Sequence, residues 1–292
     1  TAGPTLKLLT LKEWLELDIG TPDWLIPELL ERGGGGLIHG GSQAYKSFLA
    51  LQLCLDLAAG AGVLGVFPPR PPIHTVLFQA EGSRRAWRQR LVNQAKFYKV
   101  DIPFWSEHVL TPDLASATQH ARFDALLAEV KPALVVFDPL SEFFRGNENN
   151  DAVLLKGWLR VLNEWRQEYD CAVLIVHHDR KPQFARDTGE TVDTGQYETR
   201  GLTNLPNWTD LTLGVRRKGT VVQLTVQKVR DGETGRVFEL KLERGRLVVT
   251  RGALSDEAVL LKVLGRGEMK QSEAVEKVRK ETNAGRNTVY RM

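Results

Sequence analysis

The stretch that most constrains the fold of this 292-residue chain is Gly40-Gly41-Ser42-Gln43-Ala44-Tyr45-Lys46-Ser47-Phe48, entered from the apolar pair Leu37-Ile38. An apolar strand runs into a short turn, and Lys46-Ser47 opens a strongly apolar helix over about 47–59, in which only Gln52 and Asp56 are polar. This is the layout of a phosphate-binding loop, Gly-x-x-x-x-Gly-Lys-Ser/Thr, set between a strand and a helix. Successive backbone N–H groups in such a turn surround an anion, and the helix N-terminus adds partial positive charge. Lys46 is then expected to reach the phosphates and Ser47 to hold Mg²⁺. Tyr45 stands where the pattern has its second glycine. A glycine-rich turn before an ordinary buried helix is the competing reading of this stretch, so the decision falls to the rest of the chain.

Three later segments supply what such a loop needs. Apolar runs at about 75–80, 133–137 and 171–176 lie between helical segments at about 83–98, 115–130 and 151–169. Short continuous apolar runs between helices mark buried parallel strands. The runs end in Glu81, Asp138 and His177-His178. In a parallel sheet the carboxyl ends of the strands open onto the ligand crevice. An acid after a run like 133–137 can hold Mg²⁺, Glu81 can take the proton of an attacking water, and His178 can contact the terminal phosphate. Taken singly, each is better read as a strand-end polar residue facing water. Their joint occurrence behind Lys46-Ser47 points to a nucleoside triphosphatase.

Beyond about residue 209 the pattern changes to alternating strands at about 209–216, 220–229, 236–243 and 246–250, with turns at Lys218-Gly219, Asp231-Gly232 and Arg244-Gly245. The expected fold is α/β, a mostly parallel sheet extended by antiparallel hairpins. The lead-in over 1–36 reads as a short helix and turn, the nucleotide domain as 37–250, and 251–292 as a C-terminal helical segment.

Composition narrows the classes. Apolar residues make up 42% and charged residues 26%, an ordinary globular profile. No run of 18 apolar residues suggests a membrane span, and the start lacks a secretory leader pattern, so a cytoplasmic protein is expected. The net charge of +3 argues for nucleic acid only through local patches. Cys54 and Cys171 sit in apolar runs and read as buried free thiols.

The order Lys46-Ser47, Glu81, Asp138, His178 resembles the RecA-like ATPase core, specifically hexameric replicative helicases of the DnaB and RepA kind. The likeness is carried further by Asp138-Pro139-Leu140 with Asn149 and Asp151 after it, by Val176-His177-His178, by Arg200-Gly201-Leu202, and by Lys228-Val229-Arg230-Asp231-Gly232. It covers about residues 24–250. It implies an ATP hydrolase with ATP and Mg²⁺, the nucleotide held by residues 40–48, Glu81 as base, and Ser47 with Asp138 at the metal. It also implies a homo-oligomeric ring, a hexamer, in which Arg230, with Lys228 and Arg200 behind it, faces the nucleotide of the next subunit. Single-stranded DNA is the implied partner, with a primase or replication initiator as another. DNA would be gripped by loops at about 141–150 and 179–199, through Arg145, Arg180, Lys181 and Arg186; Phe143, Phe144 and Phe184 could stack on bases, though each is better read as core. The tail from Leu254 resembles the first part of a winged helix, with Arg286 to Arg291 opening its recognition helix; a plain helical bundle is the other reading. The function expected is a motor on single-stranded DNA. A DNA-binding accessory ATPase that does not unwind is the alternative. A module holding nucleotide without turnover is disfavoured by Glu81.

Overall fold

A computed structural model describes residues 8–18, 20–99, 101–109, 112, 116–144, 152–179, 204–230 and 232–252. The strands are β1 (Trp24–Ile26), β2 (Leu30–Glu31), β3 (Gly35–Gly40), β4 (Thr75–Gln79), β5 (Phe104–His108), β6 (Leu134–Asp138), β7 (Ala172–His178), β8 (Leu211–Lys218), β9 (Val221–Val229), β10 (Val237–Glu243) and β11 (Arg246–Gly252). The helices are α1 (Leu11–Glu16), α2 (Lys46–Ala58), α3 (Arg84–Ala95), α4 (Ala117–Val130), α5 (Leu140–Phe143), α6 (Ala152–Glu168) and α7 (Asn204–Trp208).

Nine strands form one sheet in the order β11-β10-β9-β8-β3-β7-β6-β4-β5. From β5 through β8 all neighbours are parallel, and β8-β9, β9-β10 and β10-β11 are antiparallel. This is the expected parallel sheet with an antiparallel extension. Strand β5 is an addition to the sequence reading, which left 104–108 unassigned. It is a half-exposed edge strand whose alternating Phe, Trp, Ser, Glu and His lack the apolar run of its neighbours.

Alternation along the inner strands feeds two cores. Ile38, Leu77, Val136, Leu174 and Val176 pack with α2 on one face. Leu37, Val76, Phe78, Val135, Phe137, Val173 and Ile175 pack on the other, against Phe123 and Leu127 of α4 and the α6 stripe Leu155, Trp158, Leu159, Leu162 and Trp165. That stripe has the helical three-and-four spacing of a core-facing surface. Helix α2 is buried on nearly every side, and the two polar residues beyond its first turn are satisfied. Gln52 pairs in both directions with the backbone of Leu247, and Asp56 receives Arg246, Tyr98 and the amide of Leu64. The antiparallel extension is therefore keyed to the helix that carries Lys46.

The lead-in contains a small hairpin, β1 against β2, which sends Leu25, Ile26, Leu29 and Leu30 into the α2 core. Helix α1 buries none of its residues. Cys54 and Cys171 are buried free thiols, as expected; burial pushes Cys171 up to about 12 and raises Cys54 further. Among the described residues no helix is long and apolar enough to cross a membrane. The stretches carrying Arg145, Asn149, Asp151, Arg180, Lys181, Phe184, Arg186 and Arg200, and the tail from Leu254, lie outside the described residues. Phe143 and Phe144 are core, 1% and 5% exposed, and residues 140–143 form a helical turn where a loop was expected.

Candidate nucleotide site

β3 delivers the chain to the turn, and α2 starts at Lys46 with Tyr45 as its N-cap in the left-handed region, φ 67° and ψ 24°. A glycine takes that conformation without strain; tyrosine meets a steric cost there of about 1–2 kcal/mol. Side-chain contacts hold it. The Tyr45 ring stands edge-on to Phe48 at 5.5 Å, and the Arg217 guanidinium lies over it at 4.7 Å. The missing glycine thus changes the residue and leaves the backbone path in place.

Lys46 is 3% exposed and donates to the carbonyls of Gly40 and Gly41 at 2.8 and 2.7 Å, with His178 Nδ1 at 3.1 Å. Burial lowers its pKa, opposed by Asp179, Asp138 and Glu81. His178 bridges onward, its Nε2 lying 3.4 Å from Glu81. Ser47 Oγ donates to Asp138 Oδ1 at 3.1 Å. Asp138 is fully buried, its Oδ2 has no hydrogen-bond partner, and burial raises its pKa to about 6. An orphaned buried carboxylate oxygen beside a serine hydroxyl is an oxygen donor set suited to a hard cation such as Mg²⁺. These residues fit the metal that the phosphate loop implies.

Lys46, Ser47, Glu81 and His178 line one cavity of about 460 Å³, together with Ser42, Gln43, Ala44, Tyr45 and Phe48. Sequence reasoning missed further lining residues, among them the polar side chains Gln79, Arg90 and Arg217. Gln79 is buried at the end of β4, with Nε2 on the Glu81 carbonyl and Oε1 unpartnered. Arg90 comes from α3, its guanidinium 4.6 Å over the Phe48 ring and 5.7 Å over that of Trp87. Burial lowers its pKa, and the charges of Asp138 and Glu81 oppose that. Its signal was present as the basic residue that follows Trp87 on a helix turn; the exposed Arg84, Arg85 and Arg88 hid it.

Arg230 and Lys228 are not in this cavity. Val229 pairs with Leu211, and Leu211 pairs with Gly36, so the end of β9 lies at the amino-terminal edge of the parallel strands, whereas the phosphate loop leaves Gly40 at the carboxyl edge. Four residues of strand, about 13 Å at 3.3 Å per residue, separate the two edges. Arg230 is 62% exposed and pairs with Asp210 at 2.8 Å; Asp210 also receives Arg166 and the Gly35 amide. Lys228 donates to the Thr209 carbonyl.

A central parallel sheet with a phosphate loop at its carboxyl edge, a buried acid beside the loop serine and a second acid on the next strand defines a RecA-like P-loop ATPase. The comparisons agree: the family model described as AAA domain matches residues 3–183, and the chain belongs to that family. Among solved structures, the ATPase domain of G40P shares the fold, with a TM-score of 0.57 and 14% identity, over 81% of this chain and 95% of that one. No curated protein matches.

Proposed function

We propose that this ATPase is a ring-forming motor on single-stranded DNA, a hexamer that hydrolyses ATP between subunits. The observation that carries this reading is the position of Arg230. It is exposed at the edge of the sheet opposite its own phosphate loop, where it can serve only a nucleotide held by a neighbour. The fold shared with the ATPase domain of G40P supports the same reading.

In the proposed mechanism Lys46 exchanges the Gly40 and Gly41 carbonyls for phosphate oxygens, and the amides of residues 40–48 surround the remaining charge. Ser47 and Asp138 would hold Mg²⁺, which when bound neutralises charge on the phosphates. Glu81 accepts the proton of the attacking water. His178, standing between Lys46 and Glu81, contacts the terminal phosphate and registers its loss. Arg230 of the adjacent subunit, with Lys228 and Arg200 as lesser contributors, stabilises the charge that develops on that phosphate. DNA would be held by the loops after β6 and β7, and a primase or replication initiator would load or engage the ring.

Single-stranded DNA is expected to stimulate hydrolysis and to bind less tightly as salt rises, because the contacts are to phosphates. Deleting 254–292 should leave the stimulation. Loss of stimulation with the tail would move DNA binding out of the core.

A further inference from the structure

The nucleotide cavity and the end of β9 lie at opposite edges of the sheet, yet one chain of polar contacts leads from the first toward the second. It starts at the Gly40 carbonyl, which accepts both from Lys46 Nζ, at 2.8 Å, and from the amide of Asp179, at 3.0 Å. Asp179 directly follows His178. Its carboxylate accepts from His39 Nδ1 at 2.8 Å. Burial works to raise the Asp179 pKa, but the hydrogen bond and charge of His39 hold it below the ordinary value. His39 is 5% exposed in the middle of the sheet, and its other ring nitrogen meets Gln227 Oε1.

The contact with Gln227 is built by two departures from regular strand structure. His39 is flanked by His177 on β7 and by Gly214 on β8, so Gln227, one strand further out, has to reach across β8. It does so over Gly214: a Cβ at that position would stand 2.4 Å from the Gln227 amide nitrogen. The register of β9 slips here, Val226 pairing with Leu213 and Lys228 with Thr212, which leaves Gln227 as an extra, unpaired residue. A bulge of this kind re-aims a side chain. Val226 and Val229 consequently enter the same core three residues apart, and Gln227 and Lys228 both fall between them.

We infer that His39, held between Asp179 and Gln227, is a positioning residue that ties the phosphate end of the ATP cavity to the strand bearing Lys228 and Arg230. When phosphate draws Lys46 away from the Gly40 carbonyl, Asp179 loses a competitor at that acceptor. The shift passes through His39 to the bulge at Gln227 in β9, one residue before Lys228 and three before Arg230. His39 and Gln227 touch no ATP. The output of this relay rests on the proposed action of Arg230 on a neighbour's nucleotide.

The test compares the full-length chain with Gln227→Leu and Gln227→Glu, the second keeping an acceptor for His39. Steady-state hydrolysis and amide hydrogen exchange across 221–229 are measured with and without a non-hydrolysable ATP analogue and Mg²⁺. Gln227→Leu should keep KM for ATP within about twofold of the parent, lose tenfold or more in kcat, and lose the analogue-induced slowing of exchange in β9. Gln227→Glu should restore both. Parent kcat in Gln227→Leu would overturn the relay. So would exchange that is faster in β9 by the same factor with and without analogue, since a purely structural role produces that. Arg230→Ala turning over like the parent would instead refute the interfacial reading, and the exchange comparison would still decide the relay.

Discussion

Asp138 shows how a buried carboxylate opposes stability. Its carboxyl titrates higher in the folded chain, about 6 against 3.8, because burial disfavours the charge and Oδ2 has no partner. A group whose folded pKa is raised holds its proton more tightly when folded. It therefore destabilises the chain as pH climbs from about 4 to 6, and the penalty is complete at neutral pH. Asp138→Asn removes the charge, so relative to the parent the nucleotide-free variant should be more stable at pH 7.5 than at pH 3 by about 3 kcal/mol, while the cost of its unpartnered NH₂ is the same at both. Thermal unfolding at the two pH values checks this, and the same variant should lose Mg²⁺-dependent hydrolysis. Glu81 is exposed to solvent beside His178, so Glu81→Gln should still bind ATP and hydrolyse it roughly 10²–10⁴-fold more slowly. Lys46→Ala should abolish nucleotide binding, measured by titration calorimetry, without unfolding the chain, since Lys46 faces the cavity and its partners are the turn's own carbonyls.

At the scale of elements, the phosphate loop tolerates Tyr45 because packing from Phe48 and Arg217 offsets a left-handed backbone. Tyr45→Gly relieves that strain and gives up those contacts, so stability by denaturant titration should change by less than about 1–2 kcal/mol while ATP binding persists. The elements legible in the sequence were those with one dominant signal. Continuous apolar runs gave β4, β6 and β7, and so delivered Glu81, Asp138 and His178 to one edge. Strand β5 was not legible because an edge strand with a half-exposed, mixed face has no such run. Arg90 and Arg217 were hidden for a related reason: an arginine on a helix or hairpin looks like solvent-facing charge until tertiary packing sets an aromatic ring beneath it. The contact between His39 and Gln227 was beyond any local pattern. It depends on a register slip, on the empty space at Gly214 and on residues 188 positions apart.

For the whole molecule, the proposed reading divides two roles along the strand direction. The carboxyl edge gathers the residues that line the cavity, and the amino edge presents Arg230 beside Asp210, half a strand length or more from that cavity. Gln52 and Asp56 tie helix α2 to strand β11 at the far side of the antiparallel extension. Arg230 is the exposed partner of its pair with Asp210, and Asp210 keeps Arg166 and the Gly35 amide without it, so the arginine can leave for a phosphate at a cost of about 0–1 kcal/mol. An arginine supplied in trans can contribute about 10³–10⁵ in rate, so Arg230→Ala should bind ATP normally and scarcely hydrolyse it. Mixing Glu81→Gln with Arg230→Ala subunits tests this division most directly. Each variant alone lacks one half of every interfacial site, whereas a mixed ring contains some sites with both Glu81 and Arg230. ATP turnover should reappear on mixing, in proportion to mixed interfaces. Mixed assemblies verified by mass that show no recovery would contradict hydrolysis between subunits.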